Sequence, residues 1–277
     1  MNGGIAGLAR IEFTFPRSSR LMILYRNYRP EYQNLFSNSF GQNSLTANEE
    51  GVFARINTYL SRGKFLSACL DLFRFPWLKY RVDAPSVGYE ATVSIGSSPE
   101  VLWSWQILYF HGTRMTNYRE PADHLNKLTI TSCDGIRIQG GWAPLKSITL
   151  RSRIDLRQST TQGMKAKGYL FSQHIRYTFS GWPAQCLMQF FFFDIPEWEA
   201  RIWSNEPDVT SGFSLPVFQG KGSRYGILFK VPLSRYLDLN LRGFMTRYQD
   251  RNVIGSGADA IHGNIKAEVT VQLVVQI

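Results

Sequence analysis

The sequence predicts an all-β protein: an antiparallel up-and-down transmembrane β-barrel of about 12–14 strands, incomplete or open at its N-terminal edge. Three observations carry this. Segment after segment alternates apolar and polar residues with a period of two, the signature of a strand with unlike faces. Short turns alternate with longer connections, as in transmembrane barrels with tight periplasmic turns and long external loops. Aromatic residues make up 14% of the chain, enough to supply the aromatic girdles that border a barrel's apolar band. The alternative is a soluble β-sandwich binding protein, whose Greek-key connections give no reason for strict short–long alternation.

The elements follow in order. Residues 5–15 set Ala9, Ile11, Phe13 and Phe15 against Arg10, Glu12 and Thr14, and a turn follows at 16–19. Residues 20–29 set Leu21, Ile23 and Tyr25 against Met22, Leu24, Arg26 and Tyr28, before a polar loop at 30–50. Residues 52–60 and 65–75 form a hairpin about Ser61-Arg-Gly-Lys64, and the loop 76–87 follows. Residues 88–95 and 100–111 form the next hairpin about Gly96-Ser-Ser-Pro99, with Val101, Trp103, Trp105, Ile107 and Tyr109 on one face. A polar loop at 112–124 carries Arg114, Arg119, Glu120 and Asp123.

Residues 125–142 are extended, with a bulge or break expected at Asp134-Gly135. After a turn at 143–146, residues 147–157 oppose Ile148, Leu150, Ile154 and Leu156 to Thr149, Arg151, Arg153, Asp155 and Arg157. A loop is expected at 158–165. Strands at 166–179 and 185–194 flank the turn Ser180-Gly-Trp-Pro183, and Phe190 to Phe193 divide two to each face. A long irregular segment is expected at 195–222. Strands at 223–231 and 236–248 flank Pro232-Leu-Ser-Arg235, and a glycine-rich loop at 249–264 leads to the last strand. That strand places Ala267, Val269, Val271, Leu273, Val275 and Ile277 on one parity and Glu268, Thr270, Gln272 and Gln276 among the other. The apolar parity is expected to face lipid.

Thirteen strands result. Bacterial single-chain barrels have even numbers. At least one upstream strand is therefore expected, and the chain reads as the C-terminal part of a longer protein. The same inference follows from the N-terminus, which lacks the basic and apolar regions of a signal peptide. The last strand follows a long loop, which puts Ile277 at the periplasmic rim.

Function is less legible. The chain carries 31 basic and 21 acidic residues, but the basic ones are dispersed through the strands, which does not suggest a nucleic-acid partner. Arg10, Arg26, Arg55, Arg151, Arg153, Arg176, Arg224, Lys230 and Arg242 lie on polar parities and predict a net basic lumen, tempered by Glu12, Glu90, Asp155, Asp238 and Glu268. Such a lumen favours anions if it is open; if it is filled, the charges form ladders within it. Phe73, Phe75, Pro76, Trp77 and Tyr80 form an aromatic, proline-broken stretch expected as a loop anchor, plug or docking surface. Ser172 and His174 point the same way on one strand, but no nucleophile-elbow motif accompanies them, which argues against an outer-membrane hydrolase. Cys69, Cys133 and Cys186 are isolated, and the histidines have no ligand spacing, so no catalytic, cofactor or metal site is predicted.

Five stretches carry a resemblance. They are Phe73-Arg-Phe-Pro-Trp-Leu-Lys-Tyr-Arg-Val-Asp-Ala-Pro-Ser-Val-Gly-Tyr89; Tyr28-Arg-Pro-Glu-Tyr-Gln-Asn-Leu-Phe36 with Ala47-Asn-Glu-Glu-Gly51; and Gly220-Lys-Gly-Ser-Arg-Tyr225 with Ile254-Gly-Ser-Gly257. Together they resemble the C-terminal β-barrel part of Bacteroidota outer-membrane proteins that carry an N-terminal helix-hairpin-helix region. That region, with its implied DNA contact, has no counterpart here. The resemblance implies the bacterial outer membrane as location. The implied partners are outer-membrane lipid, lipopolysaccharide and a missing N-terminal region of the same protein. The expected role is non-catalytic: transport, docking or envelope structure.

Overall fold

The computed structural model describes residues 3–34, 38–61, 63–97, 102–119 and 124–275, with backbone alone at Arg17 and Ser61. Parts of the expected turns at 61–64 and 96–99, together with Phe36, Glu120, Asp123 and Ile277, lie outside the described residues.

The strands are β1 (Ala6–Phe15), β2 (Ser19–Tyr28), β3 (Glu49–Ser61), β4 (Lys64–Phe75), β5 (Ser86–Ser97), β6 (Trp103–Tyr118), β7 (Lys127–Leu145), β8 (Ile148–Thr161), β9 (Met164–Thr178), β10 (Gln185–Ile195), β11 (Ile202–Trp203), β12 (Val217–Phe218), β13 (Gly220–Ser234), β14 (Leu237–Tyr248), β15 (Val253–Ile254), β16 (Ile261–His262) and β17 (Ile265–Val275). Thirteen of them form one antiparallel sheet in the order β1 to β10, then β13, β14 and β17. Each main strand pairs with its neighbours in this chain order, as the alternating pattern predicts. The two short ribbons, β11–β12 and β15–β16, lie within the two last long connections. Among the described residues β1 pairs only with β2 and β17 only with β14, so the sheet has two free edges. Among the described residues no helix is long and apolar enough to cross a membrane, which bears only on helices.

Three expectations need correction. The loop expected at 158–165 is a two-residue turn: β8 runs to Thr161, and Gln162 and Gly163 both have positive φ (51° and 78°). Positive φ at both positions gives the turn whose twist matches antiparallel strands. The strand ends were hidden because Ser159, Thr160 and Thr161 carry no apolar alternation. Hydroxyl bonds serve instead: Thr161 joins a ladder with Thr131 and Thr116 at 2.9 and 3.1 Å, and Ser159 donates to the Ser132 carbonyl at 3.3 Å. No break occurs at Asp134-Gly135; β7 passes through both residues. Phe73 and Phe75 end the expected strand at 65–75, here β4, with both rings buried on its covered face. Finally, the segment 195–222 is not wholly irregular. It contains β11–β12 and a single 3-10 turn at Trp198–Ala200.

The chain divides into two compact units: Met1–Ser97, Ile107–Gly135 and Ser159–Lys165 in the first; Ser98–Gln106, Ile136–Gln158 and Ala166–Ile277 in the second. In the first, residues 38–48 fold onto the face of the sheet that carries Arg26 and Asp71. In the second, the segment between β10 and β13 does the same. Its Ala200, Ile202 and Phe218 pack against Leu170, Phe191, Phe193 and Phe244 in the main apolar cluster. The opposite face of each unit is apolar and uncovered. On β17, Val269, Val271, Leu273 and Val275 are 80, 65, 58 and 62% exposed. The four phenylalanines of β10 split as the period demands: Phe191 is fully buried and Phe192 is 45% exposed.

Candidate functional site

The sheet buries charge where a loop or hairpin lies on it, and each unit has such a centre. In the first unit, β2 holds Arg26 with its side chain fully buried. Its Nε donates to Glu49 at 2.6 Å, and Nη1 and Nη2 donate to the two oxygens of Asp71 at 2.8 and 3.1 Å. The loop supplies the remaining donors. The backbone N–H groups of Gln42 and Asn43 reach Glu49 at 2.8 and 2.7 Å. The Gln42 amide donates to Asp71 and Glu90 at 2.8 and 3.0 Å and accepts from Arg114 at 2.6 Å. Gly51 is the clearance for this centre: a Cβ there would lie 2.6 Å from Cζ of Arg26.

In the second unit the fixed cations are Arg224 on β13 and Arg242 on β14. Both donate to Glu206 of the overlying hairpin, at 3.0 and 2.9 Å to the same Oε2. Phe244 lies beneath both guanidinium groups, with its ring centre 4.8 Å from Cζ of Arg224 and 4.3 Å from Cζ of Arg242. Arg224 also donates to Thr246 at 2.7 Å and to Glu268 at 2.8 Å. Arg153 donates to Ser204 and to the Trp203 carbonyl, and Arg157 to the Arg201 carbonyl.

Of the predicted basic residues, the structure thus brings Arg224 and Arg242 together and buries Arg26 in a separate centre. Arg153 is half-buried and also pairs with Asp155. Arg10 pairs with Glu12 on exposed β1, and Arg55 reaches Asn57 at 3.2 Å. Arg151 and Arg176 are exposed, and Lys230 is half-buried. The aromatic stretch separates in two. Phe73 and Phe75 pack under the loop, whereas Trp77 and Tyr80 project outward. Residues 76–78 are tied down by Asn48, which accepts from the Trp77 N–H at 2.7 Å and donates to the Trp77 and Leu78 carbonyls at 3.0 Å each. Lys79 in this turn sits 3.4 Å from the centre of the Phe75 ring, and burial lowers its pKa to about 8, helped by the nearby charge of Arg114.

Two features were not anticipated. Glu49 and Glu206, the carboxylates that organise both centres, come from outside the predicted alternation. On the uncovered face, His111 shares one side with Asp134 (2.8 Å) and the other with the Tyr89 hydroxyl (2.9 Å), and Tyr109 donates to the same Asp134 oxygen at 2.8 Å. No spacing within one segment announces this cluster, because its members come from β5, β6 and β7. Ser172 and His174 lie opposite Phe191 and Gln189 of β10, and no hydrogen bond joins them among the described residues. No group of three or more His, Cys, Asp or Glu residues able to hold a metal ion occurs among the described residues.

Searches against protein-family models and against curated proteins find no match for this chain.

Proposed function

We propose that the chain is a non-catalytic bacterial outer-membrane β-barrel protein acting in transport, docking or envelope structure, with its uncovered apolar face against lipid. The observation that carries this is the aromatic layout of the uncovered face in the second unit. Towards the β9–β10 turn, Tyr177, Phe179 and Trp182 cluster, with ring centres 4.8 and 6.1 Å apart. At mid-strand, Phe171, Phe190 and Phe192 gather with Tyr225, and Tyr169 is exposed two residues further from the turn. Tyr169 and Phe179 are ten residues apart along one chain direction. At ~3.3 Å per residue and a tilt of ~40°, that spans ~25 Å of height, the height of the apolar band of an outer-membrane barrel. An aromatic-bearing apolar face of that height suits a membrane, where aromatic rings are enriched at the interfaces. A soluble surface has no use for a row such as Val269, Val271, Leu273 and Val275.

On this reading the polar face is the lumen side, and the buried arginines hold loops in place rather than line an open conduit. That favours docking or envelope structure over free conduction. Lipopolysaccharide and outer-membrane lipid are the implied surroundings. Fractionation tests this: the protein is expected with outer membranes, needing detergent for extraction and migrating differently on gels when heated. Recovery in the soluble fraction without detergent would end the membrane reading.

A further inference from the structure

We propose that Arg224 and Arg242 form a binding site for an oxyanion, filled in the present state by the chain's own Glu206, and that residues 204–216 are a displaceable strap over it.

Three observations support this. First, the sheet itself holds the two arginines. Phe244 supports both guanidinium groups from below, and Thr246 and Glu268 fix Arg224 independently of the strap. The ring in turn is fixed by close approach to β13, where a Cβ on Gly226 would come within 1.9 Å of it. A pair of preorganised, nearly buried guanidinium groups aimed at one point suits a carboxylate or phosphate oxygen.

Second, the strap is attached in two chemically different ways. Its feet are apolar: Ala200, Ile202 and Phe218 are buried in the main cluster. Its tip is held by polar groups. Glu206 and Asp208 face Arg242, the Pro207 carbonyl accepts from Arg242 at 3.1 Å, and Thr210 meets Asn240 and Gln272 at 3.1 and 2.9 Å. At the very tip Ser211, Gly212 and Phe213 are exposed. Water and a competing anion can replace every polar contact of the tip while the apolar feet stay docked.

Third, the dock is imperfect. Gln189 on β10 donates its amide N–H to the Asn205 carbonyl at 3.2 Å, yet its Oε1 is buried without a donor among the described residues. An unsatisfied buried acceptor is a standing cost of the docked state, relieved when water enters.

The ligand class is therefore a small oxyanion or the oxyanion group of a larger molecule, and the site does not depend on where the protein resides. The test uses hydrogen exchange on the full chain, in detergent where detergent is needed, titrated with inorganic phosphate and with chloride at matched ionic strength. Phosphate is expected to raise exchange in 204–216 saturably, about ten-fold, a coupling within the usual range for linked sites. The feet at 200–202 and 217–218 are expected to stay protected, and chloride to have no such effect. A second arm uses Glu206→Ala, whose lowered thermal midpoint is expected to recover saturably with formate. Unchanged exchange at saturating phosphate, or equal effects of phosphate and chloride, would overturn the proposal. Should Glu206→Ala not fold, the exchange titration decides alone. Failure here leaves the membrane reading untouched, because that reading is tested by fractionation.

Discussion

Replacing Arg26 by methionine removes the cation that serves two carboxylates at once. Its side chain is fully buried, as is that of Glu49, and it makes three charge-assisted bonds. After the change, Glu49 retains the backbone N–H groups of Gln42 and Asn43, whereas among the described residues Asp71 retains only the Gln42 amide. Breaking a buried ion pair by deleting one partner costs about 3–5 kcal/mol, because the remaining charge has lost its counter-ion without regaining water. Arg26→Met is expected in that range, with Asp71 the main source of the loss. Asp71→Asn keeps a hydrogen-bonding side chain and is expected to cost about 1–3 kcal/mol. The double variant is expected to be more stable than the sum of the singles predicts, with a coupling of about 1.5–3 kcal/mol. Urea unfolding followed by tryptophan fluorescence in micelles measures all four corners of the cycle. An Arg26→Met variant within ~0.5 kcal/mol of the parent, or an additive cycle, would refute the claim that this centre fastens the loop at 38–48.

Further expectations separate faces and loops. Phe191→Ala is expected to cost about 3–5 kcal/mol in the same assay, as for a fully buried ring, while Phe192→Ala on the uncovered face costs clearly less; equal costs would contradict the assignment of faces. Asn48→Ala removes three bonds to residues 77 and 78 and is expected to speed tryptic cleavage at Lys79 and Arg81 with little change in global stability. Unchanged cleavage would show that the turn is held by other contacts. In competitive acetylation across pH 7–11, Lys79 is expected to show its half-point near pH 8, against ~10.4 for an ordinary lysine. Because its folded value lies below its unfolded one, the unfolded chain holds the extra proton between those two values. The penalty for burying the charged amine is thus full below about pH 8 and is relieved as pH rises through that window. An ordinary half-point would contradict the burial of the amine against Phe75.

The strands were legible because each of the thirteen alternates over enough residues for its period to show. Phe190 to Phe193, a continuous apolar run, were still divisible by parity alone, and the structure buries Phe191 and exposes Phe192 accordingly. The alternation failed where hydroxyls took the place of hydrocarbons, at Ser159 to Thr161. It was also missed where it was short. Ile202, Ser204 and Glu206 are buried while Trp203 and Asn205 are exposed, a strand-like period visible in the sequence but lost inside a long connection. The candidate centres were half legible. Arg26, Arg224 and Arg242 could be placed on a polar face from parity. Their acidic partners Glu49 and Glu206 could not, since these pairings depend on how a connection folds back onto the sheet. The His111–Asp134 contact depends likewise on the register of two strands, which no single segment encodes.

The uncovered apolar face is expected to meet lipid. Single cysteines at positions 269 to 275, in a background lacking Cys69, Cys133 and Cys186 and carrying an environment-sensitive fluorophore, test it most directly in bilayers containing brominated lipid. Quenching is expected to alternate with period two, strong at 269, 271, 273 and 275 and weak at 270, 272 and 274. Uniformly weak quenching, with the odd positions open to a water-soluble thiol reagent, would contradict the account.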